Sequence, residues 1–504
     1  MSGLPVRVSM RALRYGVVLL AATPLFGQAV DLAVKSQRGK EAMAAGKFAE
    51  AASIYAELVK ALPGNPGLLV NLGMAEHMAG RPRQAIPQFQ AALRLDAGLF
   101  PAWLFLGVAH LDAGEPARAI EPLEKALRIQ PDYPDAHQAL ASALFSLGRF
   151  REAAEPYQRL AQMNPKNSRA WYGLGKCYES LSRRAFADLE RIAPASGYWL
   201  ALAAGMRLAQ QQYSGAFFLY RQALEKQPGL RGLHPAVADI YRRTGHADWA
   251  AVEEQKERRL PPLDCASRPL ECDFFQGRHS KVLAVGNPQT PEAYYWQSLA
   301  YNELALQAFE RLAQLPPSAE WHQVLAEAHR NMGRHLEAVK EWREALRLSP
   351  GNLDIPRELA ISLHQGRDYK AAQASLEDLL KRDPTSAELN YYLGDALLNL
   401  QQAAQAAPFL RKAVERDAAV IPAQASLGRA YLLSGQAAQA IPHLKAALPI
   451  DDDGSLHYQL ARAYQSAGQS DLAKETLQKY QEIRSSAQGE RNKLEQDVRI
   501  TGPE

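Results

Sequence analysis

Cysteine is scarce in this chain, three in 504 residues, and the twelve histidines are scattered. No cluster has the spacing of metal ligands, so neither a metal nor any other cofactor is expected. A charge excess of one sign is also missing: 58 Lys and Arg face 54 Asp and Glu, for a net +4. A nucleic-acid binder needs a basic balance that this chain lacks. The apolar run Tyr15 to Phe26 is interrupted by Pro24 and falls short of the roughly 20 residues needed to cross a bilayer. No stretch sustains the alternating pattern of a strand, which excludes sheet architectures. His-Glu-x-x-His, Gly-x-Ser-x-Gly and the phosphate-cradling glycine loop are all absent, and no enzyme is expected.

What is present begins with the first thirty residues. Arg7, Arg11 and Arg14 precede the apolar run, and the small-residue segment Gly27-Gln28-Ala29 follows it. Those three parts make a secretory signal peptide over residues 1–29, with cleavage near Ala29. No cysteine stands near that point, which speaks against a lipid anchor. Removing the segment takes away three arginines and no acid, leaving +1 of the original +4. A periplasmic or secreted location is expected, with no transmembrane span in the mature chain.

The rest is repetitive. Gly39, Gly73, Gly107, Ala141 and Gly175 are 34 residues apart, and Ala51, Ala85, Ala119, Ala153 and Ala187 repeat twelve residues further on. The paired rows resume at Ala204/Ala216, Ala238/Ala250, Ala326/Ala338, Ala360/Ala372, Gly394/Ala406, Gly428/Ala440 and Ala461/Ala473. Small residues at such positions let two helices approach closely. Larger residues such as Leu72, Leu106, Tyr55, Phe89 and Trp342 stand at helical spacing beside them. Gly46, Gly80, Gly114, Gly148, Gly245, Gly333, Gly435 and Gly468 fall where one helix must end and its partner begin. Pro63, Pro131, Pro165, Pro228, Pro350 and Pro384 separate one hairpin from the next.

Units such as Trp103-Leu-Phe-Leu-Gly107 followed by Ala119, Ala126 and Pro131, and Trp171-Tyr-Gly-Leu-Gly175-Lys-Cys-Tyr178, resemble the tetratricopeptide repeat. The resemblance covers most of residues 32–486. It implies an all-α, right-handed superhelical solenoid of about twelve helix–turn–helix units whose concave face is lined by first helices. It leaves the ligand unspecified.

The register breaks at two places. Residues 168–196 read as a short unit whose second helix Pro194 ends early. From Leu260 to Ala319 the phase is lost. Asp273 to Lys281 resembles a degenerate hairpin, and Tyr294 onward is either one long helix or a tight pair. Trp296, Phe274 and Phe275 call for burial there. The expected organisation is therefore a signal peptide (1–29), an N-terminal block (30–264), an atypical joint (265–318), a C-terminal block (319–486), and a cap with a frayed tail (487–504). In an exported protein Cys265 and Cys272 form a disulfide or remain two small buried thiols. The bridge would close a short loop and add about 2.5 kcal/mol by chain entropy. Cys177 lies within a first helix.

Candidate binding residues follow from the resemblance, which places positions of the first helices in a groove. In the second and third units these are Val70, Met74, Met78, Leu104, Phe105, Val108 and Leu111. They either seat an apolar segment of a partner or pack between neighbouring helices. Farther along the groove turns polar, with Glu327, Arg330, Asn331, Tyr391, Tyr392, Asp395, Arg429 and Arg462. Asp395 and Arg429 share a position in adjacent units and pair with each other or with a ligand. The family's clamp for chaperone tails is missing, since Lys40 and Asn71 are followed by Pro101 and Phe105. The expectation is a non-catalytic scaffold for protein or peptide partners. The alternative is a polysaccharide-binding scaffold in exopolysaccharide export, with Tyr172, Tyr391 and Tyr392 stacking on sugars.

Overall fold

The computed structural model describes residues 26–284, 289–497 and 499–503. Among them are 26 α-helices, one short 3-10 turn and no strand. Four hairpins come first: α1 (Phe26–Ala44) with α2 (Phe48–Ala61), α3 (Pro66–Met78) with α4 (Pro82–Leu95), α5 (Phe100–Asp112) with α6 (Pro116–Ile129), and α7 (Pro134–Ser146) with α8 (Phe150–Met163). A long helix, α9 (Ser168–Ile192), precedes two more pairs, α10 (Gly197–Ala209) with α11 (Tyr213–Lys226) and α12 (Leu233–Arg243) with α13 (Ala247–Arg259). The short α14 (Pro269–Phe275) and α15 (His279–Leu283) lead to a second long helix, α16 (Pro291–Ala313). Five pairs complete the chain: α17 (Ala319–Asn331) with α18 (His335–Leu348), α19 (Asp354–Gln365) with α20 (Tyr369–Arg382), α21 (Ala387–Asn399) with α22 (Ala403–Arg416), α23 (Ile421–Leu433) with α24 (Ala437–Ala447), and α25 (Ser455–Ser466) with α26 (Ser470–Asp497). Most of the expected signal peptide lies outside the described residues, and its last four residues open α1. No described helix is long and apolar enough to cross a membrane.

The small-residue rows hold the hairpins together. A Cβ on Gly73 would lie 2.6 Å from Phe89, one on Gly107 2.5 Å from Leu123, and one on Gly394 2.5 Å from Leu410. In each case the filling side chain sits sixteen residues after the glycine, and Ala85, Ala119 and Ala406 beside it are fully buried. Burying such a Leu or Phe contributes roughly 1.5–3 kcal/mol, and each is seated only because the facing position has no side chain. All eight turn glycines expected from the sequence have positive φ, between 71° and 89°. Where the turn lacks glycine, the chain still adopts that conformation, at Gln211, Arg367 and Gln401, despite a cost of about 1 kcal/mol each.

The described chain falls into two compact units. One comprises residues up to Arg184 together with Ser298–Pro317; the other comprises Ala185–Gln297 with the residues from Ser318 onward. This differs from the expected blocks of 30–264, 265–318 and 319–486, and α9 explains the difference. It is a single helix of 25 residues, not a short pair ended by Pro194. Ala187, assigned to the second row, is exposed. The space that a Cβ on Gly175 would need is filled instead by Phe309, 2.4 Å away. Ala305 and Leu312 are buried alongside it, at 3% and 0% exposure. The spacing of Ala305, Phe309 and Leu312 is that of Ala85, Phe89 and Ala92 in a regular unit. The first half of α9 thus pairs with the second half of α16, and a hydrogen bond from Ser182 Oγ to the Ser298 carbonyl (2.9 Å) closes its end. The fifth hairpin of the first unit is assembled from segments more than a hundred residues apart.

Residues 185–297 are inserted into that hairpin. They hold two regular pairs and the degenerate hairpin α14–α15, joined at Gly277 with φ 69°. Trp296 is buried against Phe274 at 5.1 Å, while Phe275 remains half-exposed, contrary to the expectation that it is buried. The region read as one helix or a tight pair is one helix, α16. Cys265 and Cys272 are at disulfide distance, with Cα atoms 5.3 Å apart. Cys177 is buried, and desolvation pushes its thiol well above the usual range.

Candidate binding cleft

The apolar candidates are largely taken up by packing. Val70, Leu104, Phe105 and Val108 are at most 7% exposed, and Phe105 stacks on Phe89 with centroids 6.1 Å apart. Met74 and Leu111 are half-buried, and Met78 is exposed at the end of α3. The first unit therefore offers isolated apolar atoms at these positions instead of a continuous apolar floor. Tyr172, half-buried in α9, belongs to this same unit and not to the tyrosine group of the second.

The polar candidates of the second unit form a ladder between successive first helices. Arg330 of α17 bonds to Glu358 of α19, Arg357 bonds to Glu388 of α21, and His364 Nε2 meets Asp395 Oδ2 at 2.9 Å. Asp395 Oδ1 then accepts from Ser426 Oγ of α23 at 2.8 Å, and Asn399 Nδ2 donates to Oδ2 at 3.0 Å. Burial would raise the Asp395 carboxyl, but the hydrogen bonds from His364 and Ser426 outweigh it and hold the group below the usual carboxylate range. Arg429 adds only a weaker, longer-range attraction, so Asp395 is anchored by His364, Ser426 and Asn399. Tyr391 and Tyr392 lie against each other at 5.1 Å, both partly buried, and desolvation raises both hydroxyls. Serine, aspartate and histidine do meet here, but the carboxylate sits between the other two. The histidine therefore cannot take a proton from the serine, which a nucleophilic triad requires.

Beyond this ladder the second unit opens into a cleft of about 790 Å³. Arg429 and Leu433 of α23, Tyr458 and Arg462 of α25, and Tyr480 and Arg484 of α26 line it, with Gln401 at its rim. Gly454, with φ 81°, starts α25 in a conformation that favours glycine, and a Cβ there would meet Tyr480 at 2.8 Å. That close approach brings Tyr480 to 5.4 Å from the exposed ring of Tyr458. Arg484 donates to the Tyr480 hydroxyl at 2.8 Å, which fixes its guanidinium over the lining. Three arginines stand against one acid, Asp453, whose carboxyl is held low chiefly by its hydrogen bond with Ser455. The arrangement suits an anionic ligand with some apolar surface. Arg429 and Arg462 were legible as groove positions, whereas Tyr458, Tyr480 and Arg484 were not. The latter enter through the long α26, which the repeat period does not place.

Models of the tetratricopeptide repeat match residues 36–99, 79–134 and 357–420, residues 110–171, and residues 454–486. The chain is a tetratricopeptide-repeat protein. No curated protein matches it. Among solved structures it is similar to the MamA protein, at 24% identity over 39% of this chain and 92% of that one, with a TM-score of 0.29. It is also similar to a tetratricopeptide repeat protein from Parabacteroides merdae, at 12% identity over 66% and 98%, TM-score 0.32. A third is the Cut9–Hcn1 hetero-tetramer of APC/C, at 16% identity over 87% and 95%, TM-score 0.29. Scores this low transfer no property to this tetratricopeptide array.

Proposed function

We propose that this protein is an exported, non-catalytic scaffold that holds an acidic, extended segment of a partner protein in the cleft between α23 and α26. Tetratricopeptide repeats suggest a protein-interaction scaffold in general. The observation that carries the finer reading is the trio Arg429, Arg462 and Arg484 converging on one open cleft beside two tyrosines. Guanidinium groups recognise carboxylates through paired, charge-assisted hydrogen bonds, and an open cleft admits a chain passing through. A labelled peptide of alternating glutamate and leucine is the direct probe. It should bind saturably, weaken as salt rises, and lose affinity by at least about tenfold in the Arg429→Glu, Arg462→Glu double variant. Failure to bind, or equal binding by the double variant, would overturn the reading.

The exposed Tyr458 ring beside arginines supports a second reading, an acidic polysaccharide, since sugars stack on such faces. An oligouronate that binds where the peptide does not would select it. Export rests on the basic, apolar and small-residue segments at residues 1–29. Mass spectrometry of the natively expressed protein should find a mature start near Val30, and an intact Met1 would refute it.

A further inference from the structure

The segment after α26 does not fray as the sequence suggests. Residues 499–503 lie extended, without helical hydrogen bonds, against α11, α12 and the start of α13 in the same unit. The Tyr241 hydroxyl donates to the Thr501 carbonyl at 2.7 Å, and Arg221 Nη1 donates to Thr501 Oγ1 at 3.2 Å. Gly502 rests on the indole of Trp249: a Cβ there would lie 3.3 Å from the ring. The indole is itself fixed, stacked on His246 at 4.0 Å and met edge-on by Tyr241 at 5.5 Å. Burial raises the Tyr241 hydroxyl to about 12, so it stays a donor at any ordinary pH.

Each contact recognises a different property of an extended peptide. Tyr241 reads a main-chain carbonyl, Arg221 a hydroxyl, and Trp249 the absence of a side chain. Pro503 removes a backbone donor and disfavours helix in the residue before it, which suits a strand-like ligand. We propose that the Arg221–Tyr241–Trp249 face is a peptide-binding site for extended Thr-Gly-Pro segments, and that residues 499–503 occupy it as an intramolecular ligand that any competing segment must displace. This site is separate from the arginine cleft and does not depend on the reading of that cleft. A tethered ligand acts at an effective concentration near millimolar, so it masks the site against a free peptide that binds in the micromolar range.

The test uses the whole chain. Gly502→Phe places a ring against Trp249 and should expel the tethered segment without touching the site. The probe is a fluorescent, end-capped peptide of sequence Arg-Ile-Thr-Gly-Pro-Glu, followed by anisotropy. The Gly502→Phe chain should bind it at least about tenfold more tightly than the unmodified chain. Adding Tyr241→Phe to that variant removes one hydroxyl, leaves the ring packed, and should weaken binding several-fold. Adding Trp249→Ala should abolish it. No binding to the Gly502→Phe chain would overturn the proposal. So would equal binding to the unmodified chain, or indifference to Tyr241→Phe.

Discussion

At the scale of the residue, the fold rests on the absence of side chains at chosen positions. Gly107 is the clearest case, because Leu123 fills the volume that a Cβ would claim and is itself fully buried. Gly107→Leu should overpack the α5–α6 hairpin and cost roughly 1–3 kcal/mol, read as a lower melting temperature. Gly114, in the turn that follows, has φ 78° and nothing within 4 Å of an added Cβ, so its constraint is backbone conformation and not space. The two glycines of one unit are thus needed for different reasons. An unchanged melt for Gly107→Leu would mean that the contact with Leu123 is not what seats these helices together. Phe105, two residues earlier, belongs to the same packing. Stacked on Phe89 and nearly covered, it is held as core, and the groove reading of that position has no open surface to act through.

At the scale of the element, the hairpins explain why the sequence was informative and where it stopped being so. A 34-residue period reports a helix pair only when both helices are neighbours in the chain. Rows such as Gly73/Ala85 and Gly394/Ala406 satisfy that, and their burial agrees with the period. Gly175 carries the same signature, but its partner helix supplies Ala305, Phe309 and Leu312 from far along the chain. The local spacing within α16 is regular; its phase relative to Gly175 is not, because an insertion of arbitrary length separates them. Ala187 was chosen as partner only because it stood twelve residues away in an alanine-rich chain. The polar ladder was legible by the same logic and misread in one link. Asp395 and Arg429 share a repeat position, yet His364 and Ser426 reach the carboxylate first. The arginine cleft and the seated segment at 499–503 depend on α26, where the repeat ends and no period guides the eye.

At the scale of the molecule, the assembled hairpin makes a statement about which residues can fold together. The first unit needs Ser298–Pro317, since without them the face of α9 carrying Leu174, Gly175 and Tyr178 has no partner. Tyr301 stacks on Tyr178 at 6.3 Å and accepts a hydrogen bond from Arg151, so the distant segment completes a core as well as covering an end. A repeat array is stabilised by its nearest-neighbour interfaces, and losing a terminal one exposes apolar surface. A chain of residues 30–184 should therefore be less stable and prone to associate. Joining Arg184 to Ser298 by a turn of four residues restores the missing helix. The turn can be short because Ser182 and Ser298 are already in hydrogen-bond contact, as the ends of an ordinary hairpin would be. The joined chain, residues 30–184 and 298–317, should be monomeric and melt cooperatively at a higher temperature than residues 30–184 alone. Size-exclusion chromatography and thermal circular dichroism on the pair decide the matter. Equal melting would show that α16 merely lies against the first unit; a gain of several degrees that is lost again on Phe309→Ala would show that it supplies the second helix of the fifth repeat.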